Sequence, residues 1–212
     1  DKFLELIDTI GNLLVNSNVT NDEEALNLVI DGKKMSDLLA EATATIGEKI
    51  TLRRVSRVHK EATQRFGFYK HQGGRIVSLV VVEGNEDVAH NLAMHVAAQK
   101  PKYLTEDEID QTFIDQERQI LLNQALQENK SEAKPKPEHI VSKIVEGRLN
   151  KQLKEICLIY QPYVKDPSIS VTDYLKQEKA KIVSFLRLEV GEGIEKRQED
   201  FAAEVEAQLK GK

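Results

Sequence analysis

The chain has no tryptophan, one cysteine and five prolines in 212 residues, and aromatic residues make up only 5% of it. Each scarcity removes a class of function. With Cys157 alone, no disulfide framework can form within the chain, and a reducing compartment is expected. Cys157 lies in the apolar run Ile156-Cys157-Leu158-Ile159 and reads as a buried, inert thiol. Few aromatics and no tryptophan leave no stacking platform for bases. The net charge of −5 argues against a general nucleic-acid binder, which needs net cation to displace counterions from phosphates. No run of about eighteen apolar residues is present, so no transmembrane helix is expected. His59, His71, His90, His95 and His139 lack the spacing of a metal site, and no phosphate-binding loop or nucleophile elbow occurs. His95, one position from the apolar face of its helix, reads as a structural histidine. These absences predict a soluble, cytoplasmic, non-enzymatic protein with no cofactor, no metal, no membrane contact and no direct nucleic-acid contact.

Charged residues are 31% and apolar residues 40%, a globular composition. A chain of this length buries roughly 70% of the surface its unfolded form exposes. The most conspicuous stretch runs from Lys102 to Lys154. Its outward leg, Thr105 to Asn129, carries Ile109, Phe113, Ile114, Ile120, Leu121, Ala125 and Leu126 at helical steps, and Thr105-Glu106-Asp107-Glu108 has the form of a capping box. Pro135 and Pro137 break the pattern, and Pro137 suits a first helical position. The return leg carries Ile140, Val141, Ile144, Val145, Leu149, Leu153 and Ile156. Two facing helices of ~20 residues read either as an ordinary core helix pair or as a projecting antiparallel arm of roughly 30 Å, and the polar flanks favour the arm.

The first helix is expected over residues 2–15, with Phe3, Leu4, Ile7, Ile10 and Leu14 sharing one face. A second begins at Thr20-Asn21-Asp22-Glu23, another capping-box pattern, and a third runs from Ser36 to Ile46, stopped by Gly47. Three strands follow, at 49–59, 64–71 and 75–83, the last two joined by Gln72-Gly73-Gly74. They predict an antiparallel meander. A helix over 87–99 carries Val88, Leu92 and Val96 on one face. After the arm, a strand is expected at 155–160, a loop at Gln161-Pro162-Tyr163-Val164-Lys165-Asp166-Pro167, a short helix capped by Thr172, and a strand over 181–190. Gly191 and Gly193 then precede an amphipathic helix over 199–209 bearing Phe201, Val205 and Leu209. The order of elements uses helix-covered antiparallel sheet twice. The expected modules are a first α+β unit over 1–84, a second over 85–191 with the arm 104–154 inserted, and a terminal module over 192–212.

Five stretches, taken together and in order, carry a resemblance. They are Thr45-Ile-Gly-Glu-Lys-Ile-Thr-Leu-Arg-Arg54, Ala93-Met-His-Val-Ala-Ala-Gln-Lys-Pro-Lys-Tyr-Leu104, Val145-Glu-Gly-Arg-Leu-Asn-Lys151, Gln161-Pro-Tyr-Val-Lys-Asp-Pro167, and Leu188-Glu-Val-Gly-Glu-Gly-Ile-Glu-Lys196 with Asp200-Phe-Ala-Ala-Glu-Val205. The chain resembles bacterial translation elongation factor Ts along nearly its whole length. The resemblance implies an α+β fold of two helix-covered, three-stranded antiparallel units in tandem, the second carrying an inserted coiled-coil hairpin. It implies a guanine-nucleotide exchange factor that binds elongation factor Tu and promotes GDP release. Carried over by position, Ile46, His71, Val164 and Lys165 match contacts to the partner's barrel domain furthest from the nucleotide. Lys165 departs from an apolar residue there. Phe201 and Val205 match the helix that packs on the partner's G domain.

The family's N-terminal helical domain and its Thr-Asp-Phe motif do not occur in these residues, and Asp1-Lys2-Phe3 aligns just after that motif. The expectation is therefore an incomplete fragment with reduced exchange activity. The alternative from a different class is a non-enzymatic coiled-coil interaction protein, with the arm making homodimers.

Overall fold

A computed structural model describes residues 2–194. The described residues divide into two compact units, one ending at His59 and one beginning at Lys60.

In the first unit, α1 (Lys2–Val15) buries Leu6, Ile10, Leu13 and Leu14 against Met35 and Leu39 of α3 (Met35–Ile46). Residues 6, 10, 13 and 14 share one stripe of the 3.6-residue period. Phe3, Leu4 and Ile7, expected to share a face with Ile10 and Leu14, lie beside that stripe and are exposed. Between these helices, α2 (Asp22–Asn27) is capped by Asn21, whose side chain accepts the Glu24 N–H. The Glu24 carboxylate in turn accepts from the Thr20 N–H (2.7 Å) and hydroxyl (3.0 Å). The expected capping box is thus displaced by one residue. A minimal hairpin of β1 (Val29–Ile30) and β2 (Lys33–Lys34) turns through Asp31 and Gly32, and α3 ends at Gly47 in the left-handed conformation, as expected.

The strand expected over 49–59 does not form. Arg54 has a positive φ of 58°, which breaks the extended run. The Asp22 carboxylate accepts the backbone N–H of Arg54 (2.8 Å) and of Val55, donors that a ladder would need. The Arg57 guanidinium donates to the carbonyls of Leu14 (2.8 Å), Val19 (3.2 Å) and Ser17. It places a cation at the C-terminal end of α1, where the helix dipole favours one. The segment is tied to its own unit by these polar bonds.

The second unit is built on β3 (Gln64–His71) and β4 (Ile76–Glu83), joined through Gly73 and Gly74, both with positive φ. The third strand is β7 (Lys181–Glu189), antiparallel to β4, with Val80 opposite Phe185 and Val77 opposite Leu188. The strand expected in a second sheet therefore completes the first. Among the described residues the order β3-β4-β7 is the one three-stranded sheet, and the remaining sheets have two strands. The architecture is α+β with antiparallel sheets, but the expected second three-stranded sheet is not formed.

Helix α4 (Glu86–Gln99) covers one face of this sheet. Asn85 caps it by accepting the Val88 N–H. Val88, Leu92 and Val96 are fully buried with Val80, Val82 and Ile182, each such side chain contributing roughly 1.5–3 kcal/mol. The helix approaches β3 so closely that a Cβ on Gly67 would lie 1.9 Å from the Ala89 carbonyl oxygen. The buried Ser78 hydroxyl is satisfied by donating to the Ala93 carbonyl at 2.6 Å.

The arm consists of α5 (Gln111–Lys130) and α6 (Glu138–Ile156), packed through Leu121, Ala125, Val141, Val145, Leu149 and Leu153. Arg118–Glu146 and Arg148–Glu128 ion pairs bridge the two helices on the exposed side. They add little stability in water but fix the antiparallel register. The outward helix starts later than expected. Thr105 makes no side-chain cap, residues Glu106–Glu108 form a single 3-10 turn, and Asp110 caps α5 by accepting the Thr112 N–H. The strand expected at 155–160 is also replaced: α6 runs to Ile156, and Leu158–Tyr160 is a 3-10 turn. Cys157 between them is fully buried, and burial pushes its thiol up to about 11.

The loop after the arm folds as a short hairpin of β5 (Pro162–Tyr163) and β6 (Asp166–Ser170). Helix α7 (Val171–Gln177) follows, capped by a reciprocal Ser170–Asp173 box and not by Thr172, whose hydroxyl donates to the Ile159 carbonyl. The expected terminal helix, with Phe201 and Val205, lies outside the described residues. No helix among the described residues is long and apolar enough to cross a membrane.

Gly67→Ala is expected to destabilise the protein by about 3 kcal/mol, because a methyl group there must displace backbone and not a flexible side chain. A urea titration of the variant checks this; an unchanged midpoint would mean that α4 does not sit against β3 as described.

Candidate partner-binding site

The sequence-predicted contact residues fall in both units. Ile46, the last residue of α3, is half-buried in the first unit beside Leu38 and Ala42 in a shallow groove between α1 and α3. His71, at the end of β3, and Val164 and Lys165, between β5 and β6, belong to the second unit. His71 and Lys165 are exposed, and Val164 is half-buried.

Within the second unit, α4 serves both places. His90 and Asn91 are neighbours on it, and each reaches a different contact element. On one side, His90 Nδ1 lies 3.2 Å from the Phe68 carbonyl, and its ring meets Tyr69 edge-on at 5.9 Å. Tyr69 stacks in turn on His71 at 6.0 Å. On the other side, the Lys165 ammonium donates to Asn91 Oδ1 at 2.6 Å, and Asn91 Nδ2 donates to the Tyr174 hydroxyl at 3.1 Å.

One helical turn further on, His95 has no solvent exposure at all. Its Nδ1 accepts the Val164 backbone N–H at 3.2 Å, so that nitrogen carries no proton. Its Nε2–H donates to Gln161 Oε1 at 3.0 Å. The Gln161 amide group then donates to the carbonyls of Glu155 (2.8 Å) and Gln99 (3.3 Å). Every polar atom of this buried pair is matched, as buried amides and imidazoles require. Rings reinforce the bonds: Tyr163 stacks on Tyr174 with centroids 4.0 Å apart and 9° between planes, and His95 lies against Tyr163 at 6.2 Å. Burial, and secondarily the hydrogen bond its own hydroxyl makes to Tyr174, raise the Tyr163 phenol. The segment 161–165 is thereby fixed to α4 at positions 91 and 95, four residues apart on one face.

Sequence reading found His71, Val164 and Lys165 but not what holds them. Asn91 and Tyr174 carry no motif, and Gln161 and Tyr163, though inside the 161–167 stretch, carry no signal of their anchoring role. The available signal was the pair Asn91 and His95 at helical spacing, two polar residues beside an otherwise apolar face.

None of these groups is poised for bond-making chemistry. The family model described as Elongation factor TS matches residues 1–192. The chain belongs to the elongation factor Ts family. The Elongation factor Ts of Acholeplasma laidlawii (strain PG-8A) is 50% identical over 210 residues, covering 98% of this chain and 70% of that relative. The Elongation factor Ts of Limosilactobacillus reuteri (strain DSM 20016) is 44% identical over 210 residues, covering 99% of this chain and 70% of that relative. As a member of the elongation factor Ts family, this chain is a translation elongation factor.

Burial lowers the His95 pKa from its ordinary value of 6.5, and the bond to Gln161 only partly opposes that. The folded state therefore resists a proton that the unfolded chain takes up near pH 6.5. Stability is fully present above that pH and is lost as the pH falls through the lowered folded value. His95→Gln is expected to cost about 1–3 kcal/mol at neutral pH, from lost buried hydrogen bonds. It is also expected to flatten the decline in stability between neutral pH and pH 5. Denaturant titrations across that range check both effects; an equally steep decline in the variant would show that His95 does not cause it.

Proposed function

We propose that this chain is a guanine-nucleotide exchange factor for elongation factor Tu, and that it acts by binding and not by covalent catalysis. What carries the reading is family membership across residues 1–192, together with the exposed or half-buried positions of His71, Val164 and Lys165, each held through α4. Ile46 supplies a further contact from the first unit. Phe201 and Val205 complete the proposed set from the terminal segment. An interface of this kind draws most of its binding energy from a few such residues.

The mechanism is thermodynamic coupling. A factor that binds the nucleotide-free partner more tightly than the nucleotide-bound one lowers nucleotide affinity, and nucleotide lowers the factor's affinity by the same ratio. GDP release is accelerated without selection of GTP over GDP, and cellular concentrations set the direction. No group in the factor has to react, so no acid, base or nucleophile is required of it. Such a role places the protein in the cytoplasm, with elongation factor Tu as its partner.

The Thr-Asp-Phe motif that the family presents to the nucleotide site is not among these 212 residues. The 212-residue polypeptide is therefore expected to bind nucleotide-free elongation factor Tu but to accelerate GDP release only weakly. His71→Ala and Val164→Ala are each expected to weaken that binding by about tenfold, the effect of losing one well-placed contact. Titration calorimetry and a stopped-flow release assay with labelled GDP test these points. Absence of any binding would defeat the proposal, and full acceleration by this polypeptide would defeat the role given to the missing motif.

A further inference from the structure

The departure at position 165 has a structural setting of its own. Lys165 is exposed, yet its ammonium is fixed by Asn91 Oδ1 at 2.6 Å. Asn91 is fixed in turn, because its Nδ2 donates to the hydroxyl of the buried Tyr174, which stacks on the buried Tyr163. An exposed lysine ordinarily samples many rotamers, and ordering it on binding costs conformational entropy. Here the ordering is already done in the free protein. The acceptor is a neutral amide, so the charge is not neutralised, and among the described residues no ion pair involves Lys165. A lysine held in this way is a preorganised cation facing outward.

We infer that Asn91 is a positioning residue that holds Lys165 as a fixed cationic contact for a carboxylate side chain on the partner. The inference rests on the reading of residues 164–165 as part of the surface that binds elongation factor Tu. It adds a fixed charge to that set of contacts. Fixed, complementary charges favour specificity and association rate, and their contribution falls with ionic strength.

The test measures affinity of the 212-residue chain for nucleotide-free elongation factor Tu at low and high salt. Lys165→Ala is expected to weaken binding about tenfold at low salt and clearly less at high salt, as for a partly desolvated charge pair. Asn91→Ala is expected to weaken it about threefold, with no further loss when added to Lys165→Ala, since coupled residues are not additive. Asn91→Asp keeps the hydrogen bond to Lys165 but neutralises its charge, so it should weaken binding as much as Lys165→Ala. Melting midpoints of all four variants should stay within about 4 °C of the parent, the shift for roughly 1 kcal/mol in a chain of this size. Wild-type affinity for Asn91→Ala or Asn91→Asp would overturn the inference, and so would additive losses in the double variant. If Lys165→Ala binds normally while His71→Ala is weakened, the inference fails and the wider reading stands. If neither variant is weakened, the wider reading fails as well.

Discussion

The loop that carries Val164 depends on one buried polar group, the His95 imidazole. His95 is enclosed on all sides, and it tolerates enclosure only because both ring nitrogens are matched: Nδ1 by the Val164 N–H and Nε2 by Gln161. Gln161 extends the link to the carbonyls of Glu155 and Gln99, at the ends of α6 and α4. One imidazole therefore joins the sheet-covering helix, the root of the arm and the loop that carries Val164. Each polar atom left unmatched in such a place costs about 1–3 kcal/mol, so the geometry of the loop is strongly specified.

The sheet and helix beneath this contact are held by a different kind of constraint. Gly67 lets the backbone of α4 approach β3 closely, and Val80, Val82, Val88, Leu92 and Val96 fill the space between without polar atoms. Close packing fixes the height and rotation of α4 above the sheet. That rotation sets where His90 and Asn91 emerge, and hence how Tyr69 with His71, and Lys165, are presented. At the far end of α4, the Arg187 guanidinium donates to the Ala97 carbonyl and to Glu189, and Lys100 pairs with Glu189. These bonds tie β7 to the helix C-terminus, where cations are favourable. The bonds from Arg187 and Lys100 keep the Glu189 carboxyl below its usual range.

Much of this was legible in the sequence where local periodicity and burial agree. The apolar face of α4, the arm's two legs, the Gly73-Gly74 turn and the left-handed Gly47 all follow from spacing and glycine chemistry. What failed depends on distant partners. The 49–59 stretch has strand-forming residues, but Asp22 takes the N–H donors of Arg54 and Val55, and Arg54 itself turns out of the extended region. The true third strand, 181–189, lies about a hundred residues from β4, and alternation alone cannot say which sheet it joins. Caps moved by one or a few residues because Asn21, Asp110 and Ser170 compete as acceptors with the nearby Thr20, Thr105 and Thr172. For the candidate site, the contact positions came from family resemblance, whereas the residues that hold them came only from the folded geometry.

In the proposed docking, the partner grips the elements held by α4, around His71 and residues 163–166, and not chiefly the arm. Hydrogen–deuterium exchange of the chain, free and bound to nucleotide-free elongation factor Tu, tests it most directly. The account predicts new protection at the end of β3 around His71 and in residues 163–166, with the outer half of the arm unchanged. Protection confined to α5 and α6, with 163–166 exchanging as in the free chain, would contradict it.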